Sequence, residues 1–319
     1  MNFRRKVESG LRLLRSRFTE NSAILLFHRV AEKLRDPFNL CVSPEHFAEQ
    51  MEALRRVGAP LGVADFVRLH REGNLPKGSI CVTFDDGFVD VLENAVPILE
   101  TYEIPATVYC ISGCLGQPLW WDRLIDKIYS PSTLPERIEL ESGGGRISVA
   151  AGSTNRGSVI KRLYPFFLQL APGERDEQVS VLGKLTGQTV EPSLPRLMTA
   201  EELKTLSSHP LITIGAHTVT HSRLADLSHP AQLAEIKTSI DQLAEIVEVP
   251  VTTFSYPFGL ASRDYTAETM AAAREAGTDH AMAADLGVVT SSADPFCLPR
   301  LWIHDAGEAA FARKLRRWL

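Results

Sequence analysis

The sequence predicts an α/β barrel of about seven parallel strands, and three observations carry that prediction. Four short apolar runs each end, at their C-terminal tip, in residues that bind metals or move protons. Residues 23–27 run into His28, and residues 80–84 into Asp85-Asp86-Gly87. Residues 211–215 lead to His217 and His221, and residues 251–254 to Ser255-Tyr256-Pro257-Phe258-Gly259. In a parallel barrel all C-terminal strand ends open on one face, so residues remote in sequence meet there. Helix-period segments separate the runs, as strand–helix alternation requires. One stretch, 115–197, is too long for a loop and reads as an insertion that folds over or beside the barrel mouth.

The elements follow in order. After the first strand, Ser43-Pro44-Glu45 supplies a cap and a first-position proline for a helix that Gly58 closes. Strand 80–84 precedes a helical stretch near 89–103, with Val91, Leu92, Ala95, Ile98 and Leu99 at helical spacing. Residues 104–109 form another strand. Thr199-Ala200-Glu201-Glu202 is a capping box ahead of strand 211–215. Leu233, Ile236, Ile240, Leu243 and Val247 mark a helix over 230–248, and two further strands lie near 279–284 and 298–303. The insertion opens on Trp120-Trp121-Asp122, carries Gly/Ser-rich pieces at 141–145 and 151–157, and continues into two helix-like segments. The domain organisation predicted is a basic N-terminal segment, 1–22, and one domain, 23–319, interrupted by 115–197.

Composition bounds the function. The 319 residues are 44% hydrophobic and 23% charged with a net charge of −5, ordinary globular usage without a whole-chain case for nucleic acid. Cys41, Cys81, Cys110, Cys114 and Cys297 are an odd set without zinc-site spacing, and Cys81 and Cys110 fall inside apolar runs. They read as buried thiols of a reduced interior. No secretory signal or membrane-length apolar run is evident, so the expected location is cytoplasmic. Residues 2–19 carry six Arg/Lys among leucines, which fits a helix on an anionic membrane surface or one packed on the barrel bottom; packing is preferred there and for residues 311–319.

The chemistry concentrates at the strand tips. An isolated Asp-Gly after a strand is ordinary turn material. Two adjacent carboxylates at a strand end can instead divide their work, one binding a cation and the other acting as a base. His217 and His221, four apart, would share one face of a helical turn. One Asp and two His leave open positions on a divalent ion, as catalytic sites need. The residues therefore imply a metal-dependent hydrolase.

Thr83-Phe84-Asp85-Asp86-Gly87, His217-Thr218-x-x-His221 and Tyr256-Pro257-Phe258-Gly259, in this order, resemble the motifs of the polysaccharide deacetylases, the NodB-homology enzymes of carbohydrate esterase family four. The likeness spans about residues 23–304, with 115–197 unmatched. It implies a distorted seven-stranded barrel and metal-dependent N-deacetylation of an N-acetylhexosamine-containing glycan. It also implies that Asp85 is the general base and that Asp86, His217 and His221 bind the ion: zinc foremost, with cobalt, nickel or iron as alternatives. Water activated at the metal would attack the acetamide carbonyl, with the oxyanion held by the metal and a backbone N–H near Phe258.

Two departures from the family pattern bear on the site. The third motif usually opens on an Arg that braces the base, and Ser255 stands there instead; Arg300 is the candidate brace, with a structural ion pair as its alternative. The general acid is usually the His of a C-terminal Leu-x-x-His, which Leu301-Trp302-Ile303-His304 fits. Yet Phe27-His28 resembles the N-terminal motif of the poly-N-acetylglucosamine deacetylase subgroup, in which that His is the acid, and His28 is preferred to His304. Tyr256, Phe258 and Trp121 are candidate substrate contacts, with turn formation or core packing as their plain roles. His46, His70, His209, His229 and His280 read as structural, without acidic partners in register. The expected partner is a glycan, with peripheral membrane contact through the basic N-terminus open. The rival readings are hydrolysis of another amide or ester at the same site and a silent glycan-binding module.

Overall fold

The computed structural model describes residues 21–32, 35–143, 145–189 and 194–319. The basic segment 2–19 lies outside the described residues. The described residues divide into two compact units, one of 21–32, 40–113 and 199–319, the other of 35–39, 114–143, 145–189 and 194–198.

The first unit is a closed barrel of seven parallel strands. They are β1 (Ala23–Phe27), β2 (Ser79–Phe84), β3 (Ala106–Cys110), β4 (Ile212–Ala216), β5 (Thr253–Ser255), β6 (His280–Leu286) and β7 (Leu298–Trp302). Each pairs with the next, and β1 closes the ring by pairing with both β2 and β7. Strands covered on both faces need continuous apolar runs rather than alternation, and β1 is buried at every position. At the narrow β4–β5 seam a single register pair, Phe254 with Ala216, links the strands. Gly215 is required beside it, since a Cβ there would stand 2.4 Å from the Tyr109 ring.

The helices are α1 (Pro44–Val57), α2 (Val63–Arg71), α3 (Val96–Thr101), α4 (Ala200–Ser207), α5 (His229–Val247), α6 (Ala267–Glu275) and α7 (Glu308–Trp318). The caps act as the sequence predicts. Ser43 Oγ accepts the His46 N–H, and Thr199 and Glu202 form a complete capping box. The stretch expected as one helix over 89–103 is divided: a π turn, Val91–Ala95, precedes α3. Pro97 explains the widening, because it has no N–H to donate and its ring crowds the carbonyl of a regular preceding turn. Helix α7 packs on α1, burying Phe311, Ala312 and Leu315. Among the described residues no helix is long and apolar enough to cross a membrane.

Two of the histidines read as lacking acidic partners have them across the fold. His46 Nδ1 lies 2.6 Å from Asp305, and His229 Nε2 lies 3.0 Å from Glu275. Their partners come from remote segments, which register within one element cannot reveal. His280 joins a buried hydrogen-bonded chain with Thr253 Oγ1 (2.8 Å) and the Tyr109 hydroxyl (2.9 Å), and burial pulls its pKa down to about 4.

The second unit contains the helices Trp120–Tyr129, Arg156–Leu168 and Pro172–Thr186. Residues 137–142 and 145–150 pair as an antiparallel hairpin. Ile138, Leu140 and Val149 are its buried positions, an alternation of period two. Trp121 is 4% exposed and packs edge-on against Trp120.

Candidate active site

At the C-terminal tip of β2 the Asp85 N–H donates to Phe27 O, which ties the carboxylate-bearing turn to β1. Asp86 (φ +72°) and Gly87 (φ +88°) are both left-handed. Asp tolerates that region better than most residues, and Gly is indifferent to it. The reversal sends the two carboxylates to different partners.

Asp85 is gripped from two sides. Arg300 donates from Nη1 to Oδ1 (2.8 Å) and from Nη2 to Oδ2 (2.6 Å), and Ser255 Oγ donates to Oδ2 (3.1 Å). Arg300 is fully buried, and its Nε donates to Ala283 O. Burial pushes the Asp85 carboxyl up, but the Arg300 guanidinium, then His217, outweigh it and hold it well below the usual carboxylate range. Asp85 is therefore ionised throughout the neutral range.

Asp86 faces the imidazoles. Its Oδ1 stands 3.6 Å from His217 Nε2 and 3.5 Å from His221 Nε2, and one donor atom from each of the three residues lies within 4.8 Å of the others. All three residues are buried. His217 Nδ1 lies 2.7 Å from Ser255 O, the outer bond that fixes a ligating ring's orientation and leaves Nε2 to the ion. Burial lowers the His217 pKa, which favours the neutral, ligating form. The donor set of Asp86, His217 and His221 thus fits one divalent cation.

The two histidines do not sit on a helical turn. Thr218 (φ +65°) and His221 (φ +55°) are left-handed, and the segment is an irregular loop. Most of its hydrogen bonds come from outside. Glu235 of α5 accepts from the Val219 and Thr220 N–H groups (3.0 Å each) and from Thr220 Oγ1 (2.8 Å). Gly113 N–H donates to Val219 O, and Thr218 Oγ1 accepts the His221 N–H. Partners outside the segment replace the bonds a helical turn would make internally. Sequence reasoning missed Glu235, whose only signal is a carboxylate nearly two turns into α5. Glu235→Ala is expected to weaken divalent-cation affinity by about 10–100-fold without touching a ligand. Competition titration of the cation checks this, alongside an unfolding curve; unchanged affinity in a folded variant refutes it.

His28 leaves β1 toward the same mouth, near enough that its charge acts on Asp85. The next residue, Arg29, is anchored by Asp90 at 2.7 and 2.8 Å, which fixes the chain at His28. The His28 ring packs perpendicular to Trp302, with centroids 5.6 Å apart. His304 is exposed and opens a polar turn whose carbonyl is held by Gln50. Phe258 (φ +62°) sets its ring 4.7 Å from His221. Tyr256 is packed away: it is 1% exposed, stacks on Tyr265 at 4.4 Å and donates its hydroxyl to Phe296 O. Ser255 at the end of β5 faces Asp85, and the next residue, Tyr256, turns to the opposite side, where the sequence leaves a substrate contact open.

A family model described as polysaccharide deacetylase matches residues 72–153 and 175–281. His28 and Arg300 lie outside both matched stretches. Among curated proteins, the poly-beta-1,6-N-acetyl-D-glucosamine N-deacetylase of Staphylococcus aureus (strain MSSA476) is 33% identical over 115 residues, 32% of this chain and 40% of the relative. That of Staphylococcus epidermidis is 31% identical over 116 residues, 31% of this chain and 39% of the relative. The chain thus spans about 40% of the length of the curated relatives it matches. Among solved structures, the Streptococcus pyogenes deacetylase PplD in complex with acetate superposes with a TM-score of 0.61 at 19% identity, covering 92% of this chain and 98% of that one. IcaB from Ammonifex degensii gives 0.60 at 18% identity, covering 93% and 98%. These two likenesses establish the shared barrel fold.

Proposed function

The chain belongs to the polysaccharide deacetylase family, and on that premise we propose that it hydrolyses N-acetyl groups from a polymer of N-acetylglucosamine, using one divalent cation. One observation carries the proposal: a compact Asp86–His217–His221 donor set beside a carboxylate, Asp85, locked in its ionised form by Arg300. The likeness to the staphylococcal poly-beta-1,6-N-acetyl-D-glucosamine N-deacetylases supports the substrate class. Two imidazoles and a carboxylate suit zinc, with cobalt, nickel or iron as alternatives.

When bound, the cation supplies Lewis acidity that acidifies water and polarises a carbonyl oxygen. Asp85 accepts the proton of the attacking water, and the two Arg300 bonds and the Ser255 hydroxyl keep its carboxylate in one orientation. A carboxylate held at so low a pKa has little proton affinity of its own, so it depends on fixed geometry and on an acidified water. The Phe258 backbone N–H, in the turn against His221, is the proposed donor to the developing oxyanion. His28 donates a proton to the departing amine, which is otherwise too basic to leave.

Acetate release from β-1,6-linked N-acetylglucosamine oligomers and a panel of other N-acetylated glycans tests the proposal; no acetate from any of them with the zinc-loaded protein rejects it. The same assay separates the two acid candidates. His28→Ala is expected to keep the cation, lower kcat by about 10²–10⁴-fold and flatten the alkaline limb of the rate profile. His304→Ala should change kcat little, because that side chain is solvent-exposed. The reverse ranking would move the acid to the C-terminal motif.

A further inference from the structure

We infer that Trp302 is a stacking platform for a sugar ring next to the one that loses its acetyl group, an inference that rests on the deacetylase reading above. Isolated exposed apolar side chains are common and need no explanation. Trp302 differs through its place in the fold. Leu26 of β1 is in register with both Thr83 of β2 and Trp302 of β7. Thr83 Oγ1 receives the Arg300 Nη1 bond inside the barrel, so this row points inward. Arg300 and Trp302 are two residues apart on one strand and therefore share a face. The strand thus carries, in succession, the guanidinium that grips Asp85 and, one step nearer the open end, a large aromatic ring.

At that level Arg300 is fully buried, whereas Trp302 is 38% exposed. The indole lies between the two acid candidates, with ring centroids 5.6 Å from His28 and 6.1 Å from His304, and at 84° and 83° to them neither imidazole stacks flat upon it. Leu286, 76% exposed, ends the neighbouring strand β6 on the same rim. A β-linked pyranose presents axial C–H groups on its faces, and the electron-rich face of an indole is their natural partner. The cation ligands come from β2 and β4, while Trp302 stands on β7 beside His28. A glycan chain crossing the mouth would therefore place one sugar at the ligand set and its neighbour on the indole.

The test uses the zinc-loaded protein and β-1,6-linked N-acetylglucosamine as monomer and as pentamer. Trp302→Ala is expected to raise KM for the pentamer about tenfold while kcat stays within about twofold and monomer turnover is unchanged, with Trp302→Phe restoring most of the loss. Cation content and the pH dependence of kcat should match the wild type, which a ring that merely positions His28 would not allow. Pentamer KM unchanged in Trp302→Ala, or a loss confined to kcat with a shifted pH profile, overturns the platform and leaves the deacetylase reading standing. Calorimetric titration of the pentamer onto Asp85→Asn gives a readout without turnover, and equal affinity with and without Trp302→Ala likewise overturns the platform. If the wild type neither binds nor deacetylates any oligomer, the deacetylase reading fails and the platform with it.

Discussion

Asp86→Asn is expected to strip the protein of its divalent cation, while Asp85→Asn keeps the cation and loses turnover. The two carboxylates are adjacent in sequence, yet the left-handed turn at Asp86 and Gly87 gives them separate surroundings. Asp86 stands 3.5–3.6 Å from both imidazole Nε2 atoms, the separation of groups that share an ion rather than a hydrogen bond. Replacing its ligand oxygen by an amide should cost more affinity than the roughly 10–100-fold that outer partners are worth. Asp85 is bound to Arg300 and Ser255, so its replacement leaves the ligand set intact and should lower kcat by about 10²–10⁴-fold. Bound metal measured after chelation and repletion, beside acetate release, decides. If Asp85→Asn lost the cation and Asp86→Asn retained it, the two roles would be exchanged.

Arg300→Met is expected to be the most destabilising change near the site. It leaves Asp85 as a buried carboxylate without its cationic partner, a loss of about 3–5 kcal/mol in similar buried pairs. It also leaves Ala283 O without its side-chain donor. The sign of the pH effect follows from the opposing influences on Asp85. Burial raises its pKa and Arg300 lowers it; without Arg300 burial prevails, so the acidic limb of the rate profile should move to higher pH. Stability follows the same logic. Because the folded-state pKa is depressed, the wild-type contribution is present above the ordinary carboxylate pKa and declines as pH falls toward the folded value. Arg300→Met should lack that dependence. The double variant Arg300→Met/Asp85→Asn should recover much of the stability and none of the activity. Denaturant unfolding across pH checks both, and a single variant as stable as the wild type would show that the ion pair is dispensable.

The likeness of Asp85, Asp86, His217 and His221 to known motifs was legible because each lies at the tip of an apolar run, and strand direction alone sends such tips to one face. Helix starts were legible for a local reason: Ser43 and Thr199 satisfy N–H groups within three residues of themselves. The hairpin of 137–142 and 145–150 was not legible, since its buried positions alternate too briefly to stand out. The loop joining His217 to His221 was misread as a helical turn because four-residue spacing is only a local cue. Its real conformation is imposed by Glu235, fourteen positions beyond His221 and on another element.

By itself, then, the sequence determined the strand–helix alternation and the barrel end to which the candidate ligand residues are sent, because those depend on periodicity and on strand direction. Only the tertiary structure decided which cation braces Asp85, which carboxylate shapes the ligand loop and which aromatic reaches the mouth. Arg300 meets Asp85 across 215 positions of chain, and Tyr256 and Trp121 are buried while Trp302 is exposed. Those outcomes follow from ring closure and strand register, which bring β7 beside β1 and set the direction of every side chain along it. No local pattern contains that information.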